Sequence, residues 1–308
     1  MHKSLPLAYV GVIIANFFWG TNFNVGAYII AHQAPLSALI ERFSLTTLAL
    51  MLLFGLRGQL RLSILKTHWR AYLILGLLGF TLFNTSIFLG LQFTTPVNGA
   101  LILATTPLWT LVFSVIWEHE KLSPPRIAGL LAGFIGVALV ITKGNIQTLL
   151  RLDISPGDGI ILFGTLALAL NMVGTRRLVH DATAIETTSY SMLFGTLALL
   201  PLGMLFEDPW QNMSTATLSV HAAIVYLALG GSLLAYLLWF NGLEKLGSVR
   251  TAIFFNLAPV FTMLIDALSG SVPNIWQLAG AAWVIVGVML VSGVLTHFPW
   301  PRPASRQP

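Results

Sequence analysis

Residues 75–110 read LGLLGFTLFNTSIFLGLQFTTPVNGALILATTPLWT, and residues 227–262 repeat this stretch as LALGGSLLAYLLWFNGLEKLGSVRTAIFFNLAPVFT. The two copies align without a gap and are identical at 11 of 36 positions. The identities include two pairs of glycines and one pair of prolines: Gly79 with Gly231, Gly90 with Gly242, and Pro107 with Pro259. Unrelated apolar segments would share leucines, but not glycines and prolines at the same spacing. We therefore interpret the chain as a duplicated half.

The duplication continues on both sides of this core. One residue of slippage aligns Gly129 with Gly280 and Gly136 with Gly287, and residues 47–50 match residues 196–199 at an offset of 149. We predict a first five-helix repeat at residues 1–150 and a second at residues 151–308, which includes a short cytoplasmic tail.

The composition indicates a membrane protein. Of the 308 residues, 56% are hydrophobic and only 9% are charged, whereas about 25% are charged in soluble domains. The mean hydropathy is +0.82. A bilayer core about 30 Å thick needs about 20 apolar residues per spanning helix, and runs of that length recur along the chain. They do not alternate with a period of two, which favours helices over a barrel.

Apolar runs between charged or Pro- and Gly-rich breaks predict ten spanning helices. They lie at about residues 6–30, 36–56, 70–91, 96–117, 125–141, 158–178, 185–206, 220–243, 248–270 and 274–296. Each repeat holds five helices, an odd number, so the repeats must cross the membrane in opposite senses. The predicted fold is all-α and integral to the membrane, with ten transmembrane helices in two inverted five-helix repeats.

The basic residues predict the orientation. Thirteen of the 16 Lys and Arg residues lie in segments on one side of the predicted bundle, Lys143 and Arg151 lie on the other side, and Arg42 lies inside a span. Because Lys and Arg favour the cytoplasmic side, we predict cytoplasmic termini and a location in the inner (cell) membrane. The first apolar run is too long for a cleaved signal peptide and should remain as the first span.

Several chemistries lack the residues they need. The chain has no cysteine and no HExxH, GxSxG, P-loop or GxGxxG motif, so we predict no enzymatic activity, no cofactor and no metal. The net charge of +5 comes from membrane-flanking loops, which argues against nucleic-acid binding. The seven histidines fall at span ends or in loops, and we assign them no proton relay. Glu118 and Glu120 are interpreted as solvated charges.

Two prolines are predicted to act as conformational hinges. Pro107 and Pro259 each lie about 11 residues into a span, close to the membrane midplane. A proline at that depth leaves a carbonyl without its hydrogen bond, and transporters with inverted repeats form substrate sites where helices are discontinuous. A merely tolerated kink is the alternative, and the duplicated placement favours function.

Polar and aromatic residues at the same depth predict a wet central cavity for a small amphipathic solute. The predicted substrate-binding residues are Trp19, Asn22, Arg42, Asn84, Thr106, Asn171, Tyr236, Trp239 and Asn256. For each asparagine alone, a hydrogen bond between helices worth about 1 kcal/mol is the competing interpretation.

The ionisable residues well inside the spans are Glu41, Arg42 and Asp266. Charges there cost about 2 to 3 kcal/mol unless they are paired or hydrated, which makes them functional candidates. Glu41 and Asp266 are candidates for ion coupling. Neighbouring residues on a helix face different directions, so we expect Arg42 to face the cavity, where it either pairs with Asp266 or binds a substrate carboxylate. A structural ion pair or snorkelling of the side chain to the outer surface is the alternative.

The chain resembles the drug/metabolite transporter superfamily, and within it the ten-span EamA-type permeases. The resemblance covers nearly the whole chain and rests on residues 19–22 (WGTN), Arg42-Phe43, residues 100–107, Glu120, Gly129 and Gly136-Val137, with second-repeat copies at Gly242, Ala252, Pro259, Gly280 and Gly287-Val288. It implies efflux of amino acids or similar metabolites through a cavity between the repeats, with spans 5 and 10 at the periphery. Val272 stands where the first repeat has Glu120, and no arginine stands opposite Arg42, so the resemblance implies no symmetric role for these charges.

A secondary transporter of small metabolites is the function that the sequence favours, and the resemblance implies that it is an exporter.

 The alternatives are an intramembrane enzyme acting on a lipid or carrier, which would need acidic, Ser or His residues clustered at one depth, and a channel-like protein, whose flux would not saturate. The predicted partners are a small-molecule substrate and membrane lipid, with a homodimer left open.

Overall fold

The computed structural model describes residues 5–90, 92–94, 96–150, 155–268, 270 and 272–292, except for the side chains of Phe23, Ala27, Pro96, Val97, Ile146, Leu149 and Asp266. Within these ranges the regular structure is helical and contains no strand. Ten helices are long and apolar enough to cross a membrane: α1 Leu5–Ile30, α2 Pro35–Gly55, α3 Leu62–Gly90, α4 Asn98–Trp117, α5 Pro124–Thr142, α6 Pro156–Leu178, α7 Ala184–Phe206, α8 Leu218–Leu246, α9 Ser248–Ile265 and α10 Ile275–Ser292. The predicted all-α membrane fold with ten spans is confirmed.

Some predicted boundaries were wrong. α3 begins at Leu62 rather than near residue 70, because Ile64 packs with Tyr72 in a small core and the helix continues through the basic residues between them. The predicted loops at residues 142–157 and 207–219 contain the short helices Ile146–Leu150 and Pro209–Thr215. Polar composition had hidden these segments from a prediction that relied on apolar runs.

Contacts between helix ends show how the helices alternate in direction. The Tyr9 hydroxyl at the start of α1 donates to the Ser292 carbonyl at the end of α10, at 3.1 Å. At the other end of the bundle, the Asn274 side chain before α10 donates to the Lys143 carbonyl after α5, at 3.0 Å. We call the first end the termini face and the second the distal face. After five helices the second repeat begins at the distal face, which agrees with an inverted repeat.

Both repeats interrupt their third and fourth helices at matching places. α3 contains a π-helical stretch at Leu77–Leu82, and α8 contains one at Leu227–Leu234. α4 is broken at residues 104–105, and α9 is broken by the 3-10 turn Ile253–Asn256. The repeat offset of 152 residues brings the members of each pair into register. π-helical turns are frequent at functional sites, and discontinuous helices often form the substrate sites of membrane transporters that have inverted repeats.

The two repeats also contact each other through equivalent residues. Thr47 and Thr196, which the offset of 149 relates, share a hydrogen bond between their hydroxyls at 2.9 Å. Two further contacts each join an asparagine to a glycine: Asn22 of α1 lies against Gly231 of α8, and Asn171 of α6 lies against Gly79 of α3. The residues of one contact are the repeat equivalents of the residues of the other. A residue that meets its own equivalent lies near a two-fold axis, so the fold has an approximate two-fold axis between α2 and α7.

Small residues bring α5 and α10 into close contact. A Cβ atom on Gly136 would lie 2.6 Å from the carbonyl oxygen of Gly280, and one on Gly129 would lie 2.9 Å from that of Gly287. The repeat relates Gly136 to Gly287 and Gly129 to Gly280, so these two contacts are equivalent to each other. The glycines therefore form a packing face, because no larger side chain fits between the two backbones.

We expect Gly136→Leu to lower the midpoint of thermal unfolding in detergent by about 5 °C or more, because the added atoms must push α5 away from α10. Gly26→Leu in α1 is the matched control, since nothing lies within 4 Å of a Cβ atom there. Equal midpoints for the two variants, measured by loss of the monodisperse peak after heating, would contradict the close contact.

Candidate functional site

Arg42 of α2 reaches across to the π-helical stretch of α8. Its Nε donates to Ser232 Oγ at 2.7 Å. When the Asn22 amide is oriented so that both its ends have partners, its oxygen accepts from Arg42 Nη2 at 3.2 Å and its nitrogen donates to the Phe18 carbonyl at 3.1 Å. The guanidinium group therefore joins α1 and α2 of the first repeat to α8 of the second.

The Arg42 charge has only neutral partners among the described side chains. Five ion pairs occur in that part of the chain, and none of them includes Arg42. The guanidinium group is buried in protein, although the residue as a whole is partly exposed. The side chain of Asp266, the predicted partner, lies outside the described residues. The described hydrogen bonds use two of the three guanidinium nitrogens, and the group has five N–H donors in all.

Glu41 points in a different direction from its neighbour Arg42, as expected for adjacent residues of a helix. Its Oε1 lies 2.6 Å from Nδ1 of His221, near the start of α8. Its Oε2 accepts a longer hydrogen bond, 3.4 Å, from the Gln33 side chain. No role for His221 is predictable from the sequence, because a histidine at a span end has no signal of its own and its partner is 180 residues away.

Aromatic rings form a wall near Arg42. The Trp19 indole donates from Nε1 to the Gly231 carbonyl, at 3.0 Å, which anchors its ring against the π-helical stretch of α8. Its ring centroid lies 4.8 Å from that of Trp239 and 5.5 Å from that of Tyr236. The structure thus brings these three predicted residues together beside the helix that binds Arg42.

The first repeat completes this wall. Phe80 of α3 lies 4.8 Å from Tyr236 between ring centroids, and the Asn84 side chain faces the Tyr236 hydroxyl. Asn84 and Tyr236 are equivalent residues of the two repeats, so α3 and α8 approach each other here across the two-fold axis. Arg42 Cζ lies 5.3 Å from the ring centroid of Phe43, a cation–π distance.

The other predicted substrate-binding residues lie in contacts between or within helices. Asn171 is 4% exposed and donates from Nδ2 to the Leu75 carbonyl at 2.8 Å. Asn256 is 2% exposed and lies against Gly133 of α5, with no hydrogen-bond partner for its amide within the described chain. The described contacts of these residues do not include Arg42. The Thr106 hydroxyl donates to the Leu103 carbonyl of its own helix, α4.

The two prolines follow the helix interruptions instead of kinking continuous helices. Pro107 is the second residue of the helix Thr106–Trp117, and Pro259 is the third residue of the helix Leu257–Leu268. Pro107 has no N–H for the Leu103 carbonyl, and the Thr106 hydroxyl donates to that carbonyl in its place, at 2.5 Å. The roles of both prolines as hinges remain predictions.

A second charged cluster ties the repeats together at the termini face. Arg176 of α6 pairs with Glu118 after α4, with 3.0 Å between Nη1 and Oε1. The same carboxylate accepts from the hydroxyls of Ser114, at 2.8 Å, and of Ser248 in α9, at 3.3 Å. The Glu118 side chain is only 9% exposed. The interpretation of Glu118 as a solvated charge was wrong, because the fold places it between three helices.

A cavity of about 160 Å³ opens beside this cluster, between α6, α7 and α8. Its lining includes Thr175, Arg176, His180, Thr187, Phe240 and Glu244. The Phe240 ring centroid lies 6.3 Å from that of Tyr236, a member of the aromatic wall. Phe240 thus belongs to the cavity lining and also lies next to the aromatic wall.

A cation flanked by hydroxyl, amide and aromatic groups combines features that can bind a carboxylate and an apolar group. Among the described residues, no group of three His, Cys, Asp or Glu side chains is placed to bind a metal ion. Ten helices long enough to span a membrane, with matched interruptions in both repeats, are typical of membrane transporters.

The EamA-like transporter family matches the chain twice, at residues 6–142 and 155–293. The chain therefore belongs to this family, within the drug/metabolite transporter superfamily. The repeat boundary near residue 150 remains a prediction.

Relatives of this chain carry transporter names. It is 36% identical to the uncharacterized transporter YyaM of Bacillus subtilis over 287 residues, which covers 93% of this chain and 94% of that one. It is 24% identical to a probable terminal-alkyne amino-acid exporter of Streptantibioticus cattleyicolor over 196 residues, 63% of each chain. A solved crystal structure shares the fold, with a TM-score of 0.78 and 20% identity over 93% of this chain and 98% of that one.

Proposed function

We propose that this protein is a secondary transporter that exports amino acids or related small carboxylate metabolites by alternating access between its two repeats. The observation that carries the proposal is the buried Arg42 guanidinium, whose partners among the described side chains are neutral. A substrate carboxylate would pair with this cation through a two-pronged contact. The similarity to an amino-acid exporter supports the same substrate class.

The aromatic wall narrows the expected substrates. Trp19, Tyr236 and Trp239 offer apolar ring faces next to the Arg42 site. We therefore propose an amino acid with an apolar side chain, whose carboxylate contacts Arg42 and whose side chain lies against the rings. L-Leucine and L-phenylalanine are the probes that this geometry favours.

Exchange assays on reconstituted vesicles test this function. Vesicles loaded with unlabelled L-leucine or L-phenylalanine should take up the radiolabelled amino acid with saturation, and the amino alcohols leucinol and phenylalaninol, which lack the carboxylate, should neither exchange nor compete. Flux without saturation would indicate a channel. Equal transport of the alcohols, or no exchange with either amino acid, would overturn the proposed substrate class.

We also propose that the termini face is cytoplasmic and that the protein lies in the inner membrane. Fluorescent and phosphatase reporters fused after Pro308 and within residues 142–157 should report opposite sides, since Lys143 lies at the distal face and α10 ends at the termini face. Two reporters on the same side would rule out both this orientation and the inverted repeat.

Alternating access requires the repeats to move at defined points, and we propose the interruptions before Pro107 and Pro259 as these hinges. The Pro107→Ala/Pro259→Ala double variant should exchange amino acids about tenfold more slowly, because continuous helices replace the interruptions. Its thermal unfolding midpoint serves as the control for folding. Exchange at the wild-type rate would show that neither proline acts as a hinge.

A further inference from the structure

The pair formed by Glu41 and His221 links the two repeats at the distal face. Glu41 belongs to α2 and His221 to α8, and their side chains meet at 2.6 Å between Oε1 and Nδ1. The Glu41 side chain is 14% exposed and the His221 side chain is 34% exposed. The carboxylate is thus shielded while the imidazole remains in reach of solvent.

This pair can gain and lose one proton without losing its hydrogen bond. An ionised Glu41 only accepts, so His221 Nδ1 carries a hydrogen, and Nε2 is the nitrogen at which a further proton binds. The pair then has a net charge of zero with the proton and −1 without it. The hydrogen bond has an ionised acceptor in both states, and the proton adds an attraction between the imidazolium and the carboxylate. The contact is therefore stronger with the proton than without it.

The other ionisable groups on the elements packed around the pair have partners of their own. His32 Nδ1 lies near the Tyr28 carbonyl, Glu207 accepts from the backbone of Leu36 and Ser37, and Asp208 accepts from the backbone of Gln211. The hydroxyls of Tyr28 and Tyr226 donate to Ser219 and Thr21. Arg42 donates to Ser232. Within the described chain, His221 is thus the group whose charge changes against Glu41.

An apolar contact between the same two helices lies close to the pair. Ala38 of α2 belongs to a small core with Val220 and Ile224 of α8, and Ala38 is 7% exposed. Opening of the distal face between α2 and α8 would separate this core and the Glu41–His221 pair together. The accessibility of residue 38 therefore reports on whether the pair is closed.

We propose that the Glu41–His221 pair is a proton-binding site that closes the distal face when protonated and so couples solute export to proton influx. The coupling rests on the proposed export function and orientation. With the distal face open, His221 binds a proton from the outer solution, and attraction to Glu41 closes α2 onto α8. Release of that proton to the other side weakens the contact, and the distal face reopens with solute bound at Arg42.

The first experiment needs no substrate. Because the chain has no cysteine, Ala38→Cys provides a single labelling site for a membrane-impermeant thiol reagent. A second variant, Leu218→Cys, carries an exposed thiol and measures how the thiolate fraction alone changes labelling with pH. After correction for that change, labelling of Ala38→Cys should rise about tenfold between pH 5.5 and pH 8.5. Adding His221→Gln or Glu41→Gln should give fast labelling at both pH values. His32→Gln is the control on the same face and should keep the pH dependence. Labelling that ignores pH, or keeps its pH dependence in His221→Gln, would overturn the site.

The second experiment tests the coupling. Vesicles loaded with radiolabelled L-leucine should release it at least fivefold faster when a pH gradient drives protons in the direction opposite to leucine. His221→Gln should lose this acceleration but retain leucine exchange when the pH is equal on both sides. Retained acceleration in His221→Gln would overturn the coupling. If wild-type vesicles exchange no leucine but the labelling follows pH as expected, the leucine function fails and the proton site stands.

Discussion

Arg42→Gln is expected to slow L-leucine exchange by at least about 100-fold at low substrate concentration, a loss of about 2.7 kcal/mol of binding. Glutamine retains hydrogen-bonding groups for Ser232 and Asn22 but removes the cation that a carboxylate needs. Arg42→Lys keeps the charge and loses the two-pronged geometry, so an intermediate loss of about tenfold is expected.

Arg57→Gln is the matched control for this experiment, because Arg57 is exposed in the connection between α2 and α3. It should exchange leucine at the wild-type rate. Thermal unfolding midpoints within a few degrees would show that the Arg42 variants fold. If both folded Arg42 variants exchange as fast as the wild type, Arg42 has no part in substrate binding.

Glu118→Gln is expected to open the termini face. The substitution removes the ion pair with Arg176 between α4 and α6, which we place at about 1 to 2 kcal/mol because the Arg176 side chain is 36% exposed. Met172→Cys is a suitable reporter, since residue 172 is fully buried between these helices and its carbonyl accepts from Ser248. Its labelling by an impermeant thiol reagent should accelerate about tenfold.

Glu120→Gln provides the control for this second experiment. Glu120 pairs at 2.6 Å with Arg126 in the first turn of α5, six residues away, and so does not link the repeats. The Glu118→Arg/Arg176→Glu exchange should bring labelling part of the way back, because it restores the ion pair but not the hydrogen bonds from the two serines. Labelling of Met172→Cys that does not respond to Glu118→Gln would show that this cluster does not close the face.

The sequence predicted most of the fold because the fold depends on local properties. Apolar run length predicted the ten helices, and the repeated prolines marked the places near which α4 and α9 are interrupted. The diverging directions of Glu41 and Arg42 followed from helix geometry alone. The missed helices, such as Pro209–Thr215, are polar and short.

The partners of the charged residues could not be predicted in the same way. Ser232 is equivalent to Phe80 in the first repeat, so the duplication gave no hint that it binds Arg42. His221 and Arg176 meet carboxylates 180 and 58 residues away, and only the rotation and packing of the helices bring them together. Depth in the membrane likewise did not separate Asn22, which contacts Arg42, from Asn171, which joins two helices.

The contacts between asparagine and glycine that exchange under the repeat have an energetic consequence for the two faces. A fold with full two-fold symmetry would have inward-open and outward-open states of equal energy. Here the backbone contacts are matched, but the position equivalent to Arg42 is Ser191, whose hydroxyl has no partner within the described chain. The charged site thus lies on one side of the axis. In the alternating-access cycle that we propose, the two open states are therefore expected to differ in energy, and the apparent affinity for solute should differ when measured from the two sides, while the gradients set the direction of net flux.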